Sequence, residues 1–339
     1  MKKLKWLVWV FLLFLPGCWL FDFDRDYDFE FETIITDYPE NLDGINSSYD
    51  DFNSALPYEY SGGEIYFSSK NPTHGENFDI TRKEIEITFH PKKDSILNVS
   101  YPDYYYTDTF EKKRLDLINT SSNEYGPYII GWTKGFDYLF YANDEGGDLD
   151  IKFVCNPDND YSGDKLTGPL EATALNSEFD DAYFTLNSDT TGVLFCSNRE
   201  NNQFDIYSMP LRSALLLKDQ FGTGSPAITK ETALSGSSND KCPFVNRNLL
   251  VFASDREGGY GGFDLWYSKL IDGVWSAPVN FGEKINSEFD EYRPVTLWFY
   301  FMKQEAMVFS SNRPGGHGGY DLYFVRIGDL MENPAWLED

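Results

Sequence analysis

Phe309-Ser-Ser-Asn-Arg-Pro-Gly-Gly-His-Gly-Gly-Tyr-Asp-Leu-Tyr323 joins three signals: an apolar run closing in small polar residues, a glycine-rich turn, and an aspartate set between hydrophobics. The same order returns four more times upstream. Leu250 to Arg256 leads to Asp264, Val193 to Arg199 leads to Asp205, Tyr138 to Asp144 leads to Asp150, and Glu64 to Lys70 leads to Asp79. From the amino-terminal end these aspartates stand 71, 55, 59 and 57 residues apart. A fixed period of this size marks a repeat architecture.

A second signature precedes each copy. It reads Ile45-Asn46 with Asp50-Asp51, Ile118-Asn119 with Asn123-Glu124, Leu175-Asn176 with Asp180-Asp181, Leu234-Ser235 with Asn239-Asp240, and Ile285-Asn286 with Asp290-Glu291. Each unit contains short runs of aromatic and β-branched residues separated by Gly, Asn, Asp and Ser, a pattern of strands joined by tight turns. Four such strands per unit make a propeller blade. In the last unit they are expected at Tyr292–Leu297, Ala306–Ser310 and Asp321–Arg326, with the outer strand clearest one unit earlier, at Gly273–Val279. The chain is therefore expected to be all-β, a five-bladed β-propeller over residues 29–330 with a tail at 331–339. An open ring leaves exposed strand edges, which invite aggregation. Aligning Ile45 with Ile285 sets Ile35 on Trp275, so residues 29–36 are expected to close blade five.

These repeats, above all 309–323 and Phe252 to Tyr267, resemble the TolB-type, WD40-like (PD40) propeller repeat of envelope lipoproteins in the Bacteroidota. The resemblance covers five units and implies a propeller. It implies little about activity, because one fold carries many functions. The OmpA-type domain that often follows such repeats has no counterpart before Asp339.

The amino terminus reads as an address. Lys2, Lys3 and Lys5 precede ten apolar residues from Trp6 to Leu15, too few to span a bilayer but enough for a signal peptide over 1–17. Leu15-Pro16-Gly17-Cys18 resembles a bacterial lipobox, which implies acylation of Cys18 and a lipid-anchored tether over 18–28. Asp22, Asp24, Asp26, Asp28, Glu30 and Glu32 resemble the surface-export signals of such lipoproteins, so the outer membrane, and its outer face, is the expected location. No later apolar run is long enough to cross a membrane.

With 28 basic against 55 acidic residues and a formal charge of −27, the chain repels phosphate backbones, and nucleic acid is excluded as a partner. Repetition arrays Asp50, Asp51, Glu124, Asp180, Asp181, Asp240, Asp290 and Glu291 around one mouth of the expected channel. Carboxylate oxygens suit a structural calcium ion, and they equally suit backbone N–H groups of their own turns. The sequence otherwise points to no metal or cofactor. Asp158 to Pro169 mimics a calcium loop but ends in proline where a bidentate Glu is required. There is no Gly-x-Ser-x-Gly elbow, and His74 and His317 fall in turns. Five-bladed propellers also occur as glycosidases, which use two carboxylates across a pocket; among so many acids no pair stands out. Cys155, Cys196 and Cys242 are an odd set outside the cytoplasm, read as buried thiols, with any disulfide pairing left open. Tyr101, Tyr104, Tyr105 and Tyr106 fall where the first unit is longest, in a loop suited either to packing on the rim or to partner contact. The expected function is a non-enzymatic, protein-binding scaffold within an outer-membrane transport or assembly complex, with other envelope proteins as partners. The alternative is a glycan-binding or glycan-cleaving surface lipoprotein.

Overall fold

The computed structural model describes residues 37–56, 62–89, 97–100, 109–131, 137–158, 161–212, 217–222, 227–299 and 304–328. Five antiparallel sheets follow one another along the chain. Blade one comprises Asp51–Ala55, Gly62–Ser69, Asp79–Phe89 and Leu97–Ser100. Blade two comprises Glu124–Ile130, Asp137–Asn143, Asp150–Asn156 and Thr167–Glu171. Blade three comprises Asp181–Leu186, Gly192–Glu200, Gln203–Pro210 and Thr229–Lys230. Blade four comprises Asp240–Asn246, Leu249–Ser254 and Asp264–Ile271, with an outer edge split into Val274–Trp275 and Val279–Asn280. Blade five comprises Glu291–Phe299, Gln304–Ser311 and Asp321–Gly328. The second strand of each blade is a continuous apolar run because both its faces are covered by neighbouring blades, as in Tyr138 to Ala142 and Leu249 to Ala253. Aromatic side chains fill the wedges between blades; Phe140 of blade two stacks on Phe184 of blade three with ring centroids 3.9 Å apart.

The two recurring signatures are the seams between blades. The amide of Asn286 accepts the Leu265 N–H (2.8 Å) and donates to the Leu265 carbonyl (3.0 Å), joining blades four and five. Asn119 does the same to Ile80 (2.8 and 3.0 Å), and Asn176 to Ile151 (2.9 and 3.0 Å). Ser235 reproduces the pattern on Ile206 with one hydroxyl, at 3.0 and 3.4 Å. Glycine serves the same seams by letting backbones touch: a Cβ on Gly261 would lie 2.6 Å from the Ser287 carbonyl of the next blade.

The ring closes with this device and one more strand. Asn46 bonds both backbone groups of Leu322 (2.8 and 2.9 Å), and Glu40–Asn41 pairs antiparallel with Tyr323 and Phe324 as the fourth strand of blade five. Asp37 accepts a hydrogen bond from Arg326 Nε at 2.7 Å, and this contact holds its carboxyl below the usual carboxylate range. Closure by an amino-terminal strand therefore holds, with Glu40–Asn41 at the edge of blade five; residues 29–36, expected to close it, lie with the rest of 1–36 outside the described residues. Gly273–Val279, expected as one outer strand, is two pieces: Val274–Trp275 folds back on the end of its neighbour, and Val279–Asn280 sits in register with Trp266 and Tyr267 at mid-blade.

The extra length between blades one and two includes the helix Thr109–Ile118. Its Arg114, 3% exposed, bonds Asp137 (2.6 Å), Glu111 (2.5 Å) and the Tyr66 hydroxyl (3.1 Å). A buried guanidinium is tolerated there because two carboxylates, Glu111 on the helix and Asp137 on blade two, pair with it.

If the seams carry the ring, their strength should follow their geometry. Asn286→Ala leaves a buried N–H and carbonyl unpaired and is expected to cost about 2–4 kcal/mol. Ser235→Ala, which loses bonds of 3.0 and 3.4 Å at a half-buried position, is expected to cost less. Urea denaturation followed by tryptophan fluorescence measures both, and an equal or reversed order contradicts the assignment.

Candidate functional site

The eight acids of the second signature divide into two layers. Asp50, Asp180 and Asp290 accept the backbone N–H of Tyr320 (3.0 Å), Leu149 (3.0 Å) and Phe263 (2.9 Å) in the preceding blade. Asn123 and Asn239 do the same for Phe78 (3.0 Å) and Phe204 (3.2 Å). Asp51, Glu124, Asp181, Asp240 and Glu291 are all at most 1% exposed and turn back into their own loops. Asp181 accepts the Ser177 N–H (2.6 Å), Asp240 the Gly236 N–H (3.0 Å) and Glu291 the Ser287 N–H (2.9 Å). The acids thus lie in the seams, and no three His, Cys, Asp or Glu side chains among the described residues gather as a metal site.

In blades three to five a repeated arginine neutralises the inner acid. Arg199 bonds Asp181 (2.5 Å) and the Leu175 carbonyl, Arg256 bonds Asp240, and Arg313 bonds Glu291 (2.8 Å) and the Ile285 carbonyl. Blades one and two carry Asn71 and Glu145 at this position. Glu124 is left with Thr120 and Asn143 alone, and burial pushes its carboxyl up to about 7.

The axis is built by a bulge repeated in every inner strand, where the ladder slips between Phe52 and Ala55, Tyr125 and Tyr128, Ala182 and Thr185, Lys241 and Phe244, and Tyr292 and Val295. The bulged residue has a left-handed backbone each time: Asn53 (φ 58°), Gly126 (57°), Tyr183 (61°), Cys242 (56°) and Arg293 (46°). Contacts between non-adjacent blades place these side chains on the axis. The Asn53 amide donates to the Tyr183 hydroxyl (3.3 Å), Arg293 lies 5.4 Å from the centroid of the Tyr183 ring, and Arg293 Nη2 donates to the Pro127 carbonyl (3.1 Å). A side chain on Gly126 would collide with the Tyr183 ring. Arg293 is fully buried, its Nε and Nη1 have no hydrogen-bond partner, and burial pushes its pKa down.

Above this layer the mouth is a collar of aromatic rings. Phe263 packs on Tyr292 (5.3 Å between centroids), Tyr292 on Phe52 (5.2 Å), Phe52 on Tyr320 (4.9 Å) and Phe78 (5.9 Å), and Phe78 on Tyr125 (5.2 Å). Apart from Tyr292 these rings are half-buried. Lys241 completes the circle, 3.9 Å from the Phe204 centroid and 5.5 Å from that of Phe263. Planar apolar faces with polar edges on a rigid rim suit a flat, hydroxylated ligand.

Sequence reasoning missed this site. Asn53, Gly126, Tyr183, Cys242 and Arg293 occupy one column of the repeat, three residues after Asp50, Asn123, Asp180, Asn239 and Asp290, and that column is where the five units disagree. Cys155, Cys196 and Cys242 are buried free thiols; burial raises Cys155 to about 11 and Cys242 to about 12. His317 meets the exposed Asp43 at 3.0 Å. Cys18 and the tyrosines at 101, 104, 105 and 106 lie outside the described residues.

No protein-family model and no curated protein matches the chain. Solved structures do. An endo-arabinase from Bacteroides thetaiotaomicron is similar over 88% of this chain and 99% of its own, at 12% identity and a TM-score of 0.50. A thermostable family-43 glycoside hydrolase is similar over 81% of this chain and 89% of its own, at 14% identity and a TM-score of 0.50. At such identities the likeness shows the fold, a five-bladed β-propeller. A putative TolB from Agrobacterium tumefaciens matches less well, over 78% and 86%, at 12% identity and a TM-score of 0.38. The TolB-type resemblance is thereby corrected: the better-matching structures are glycoside hydrolases. The expectation of a non-enzymatic, protein-binding scaffold, which rested on the lack of a recognisable catalytic motif, is corrected by the same finding.

Glu124 gives the seam a pH signature. Its folded pKa of about 7 lies above the ordinary carboxylate value, so folding takes up a proton, and its contribution to stability is full at low pH and lost as pH rises toward 7. Glu124→Gln cannot ionise. The stability difference between the variant and the parent, followed by urea midpoint from pH 4.5 to 8, should move in the variant's favour as pH rises; a flat difference contradicts the assignment.

Proposed function

We propose that this chain is a glycan-directed propeller, held at the outer membrane by lipid on Cys18, that takes a saccharide chain across its aromatic collar. The observation that carries the reading is the row of aromatic rings from Phe263 through Phe52 to Tyr125, most of them half-buried, standing on backbone that the seams hold. Sugars present C–H faces to such rings and hydroxyls to the tyrosine edges. The lipobox-like Cys18 and the acids after it support display toward extracellular polysaccharide.

Cleavage is the part of the reading supported by the architecture shared with the arabinase and the family-43 hydrolase. Glycoside hydrolysis needs one protonated and one ionised carboxyl group. Glu124 is fully buried, whereas Asp150 is half-buried and follows Leu149, whose N–H is held by Asp180. Burial first, then the charges of Asp148, Glu171 and Asp181, push Asp150 up to about 6, which suits a proton donor.

A polysaccharide panel tests the proposal, with affinity electrophoresis reading binding and a reducing-end assay reading cleavage. At least one polysaccharide should be retarded or cut, and Tyr125→Ala should weaken its binding at least tenfold, about 1.4 kcal/mol. Asp150→Asn should spare binding and abolish any cleavage. No retardation and no new reducing ends across neutral and acidic polymers would reject the reading.

A further inference from the structure

Two cations stand at the axis and meet no carboxylate among the described residues. Lys241 follows the inner acid of blade four, where the other blades place Phe52, Tyr125, Ala182 and Tyr292. It is half-buried between the rings of Phe204 and Phe263 and makes no ion pair among the described residues. One layer below, Arg293 is fully buried with a single hydrogen bond, to the Pro127 carbonyl, and with Nε and Nη1 unpartnered. A guanidinium does not lose its proton in a protein, and a buried charge without a counter-charge is costly to keep. The acids that could have balanced these cations are committed elsewhere: Asp240 to Arg256, Glu291 to Arg313, and Asp50, Asp180 and Asp290 to backbone N–H groups. In a chain whose formal charge is −27, Lys241 and Arg293 thus set positive charge at the axis with no carboxylate bonded to either among the described residues.

We infer that the ligand of the collar is an acidic glycan, a polymer of sugars bearing carboxylates, with one carboxylate set on Lys241 and stabilised from beneath by the field of Arg293. The inference rests on the glycan-directed reading and names its substrate class. Rings on either side of Lys241 hold a sugar plane while the ammonium, which has three donors and no acceptor, takes the carboxylate at the rim. A neutral sugar would leave both cations uncompensated, so the site discriminates by charge as well as by shape.

The test pairs each acidic polysaccharide with its own neutral form: polygalacturonate, alginate and hyaluronan, each against its carboxyl-reduced counterpart, with binding to the protein measured by calorimetry. At least one acidic polymer is expected to bind tenfold or more tighter than its neutral partner. Lys241→Gln is expected to remove most of that preference, and Lys241→Arg to keep it. Equal binding of both members of every pair, or tighter binding of the neutral ones, overturns the acidic assignment and leaves glycan recognition standing. A preference that survives Lys241→Gln, in a variant that melts within a few degrees of the parent, overturns the role of Lys241. Binding to neither member of any pair overturns this inference together with the reading beneath it. The acidic and neutral comparison needs no variant, so it decides the substrate class even where a substitution prevents folding.

Discussion

A single side-chain amide, presented to both the N–H and the carbonyl of one residue in the preceding blade, turns five separate sheets into a ring. Asn46, Asn119, Asn176 and Asn286 each satisfy a buried donor and a buried acceptor at once, where an apolar residue would leave two orphaned groups. Four residues on from each of these positions, an Asp or Asn fastens the same seam at the rim. The groups so fastened are the backbone N–H groups of Phe78, Leu149, Phe204, Phe263 and Tyr320, four of which carry rings of the collar. Asp50, Asp180 and Asp290 therefore act on the backbone, by setting where these residues stand.

This division of labour explains what could be read from the chain beforehand. Residues that bond backbone recur in every blade, since every blade meets its neighbour in the same way, and the five units and both signatures were visible for that reason. The outer strands were less legible. An edge of two residues such as Thr229–Lys230 or Glu40–Asn41 carries no alternation, and it was placed by analogy with Gly273–Val279, where a local fold-back imitates a strand. Least legible was the site. Its members, among them Lys241 and Arg293, are the residues a repeat does not share, so a search for self-similarity passes over them. The family resemblance failed for the related reason that it was carried by seam residues, which report architecture and leave activity open.

The electrostatics follow the same geometry. Where the repeated arginine is present, the inner acid of a blade is a neutralised structural pair; where Glu145 stands instead, Glu124 is buried without a cation and holds its proton near neutral pH. Blades one and two thus differ in charge from blades three to five, although their strands superpose in pattern. Combined with Lys241 on blade four and Arg293 on blade five, this breaks the near-symmetry of the ring.

The left-handed bulge in each inner strand has one more consequence. Backbone shape, not side-chain identity, is what recurs at that point, and an amide, a hydrogen, a phenol, a thiol and a guanidinium are all accommodated there. The hub of the wheel can therefore vary wherever its neighbours leave room, as they do not at Gly126, while every spoke stays fastened. Two chains with indistinguishable rims could in this way hold wholly unlike cargo.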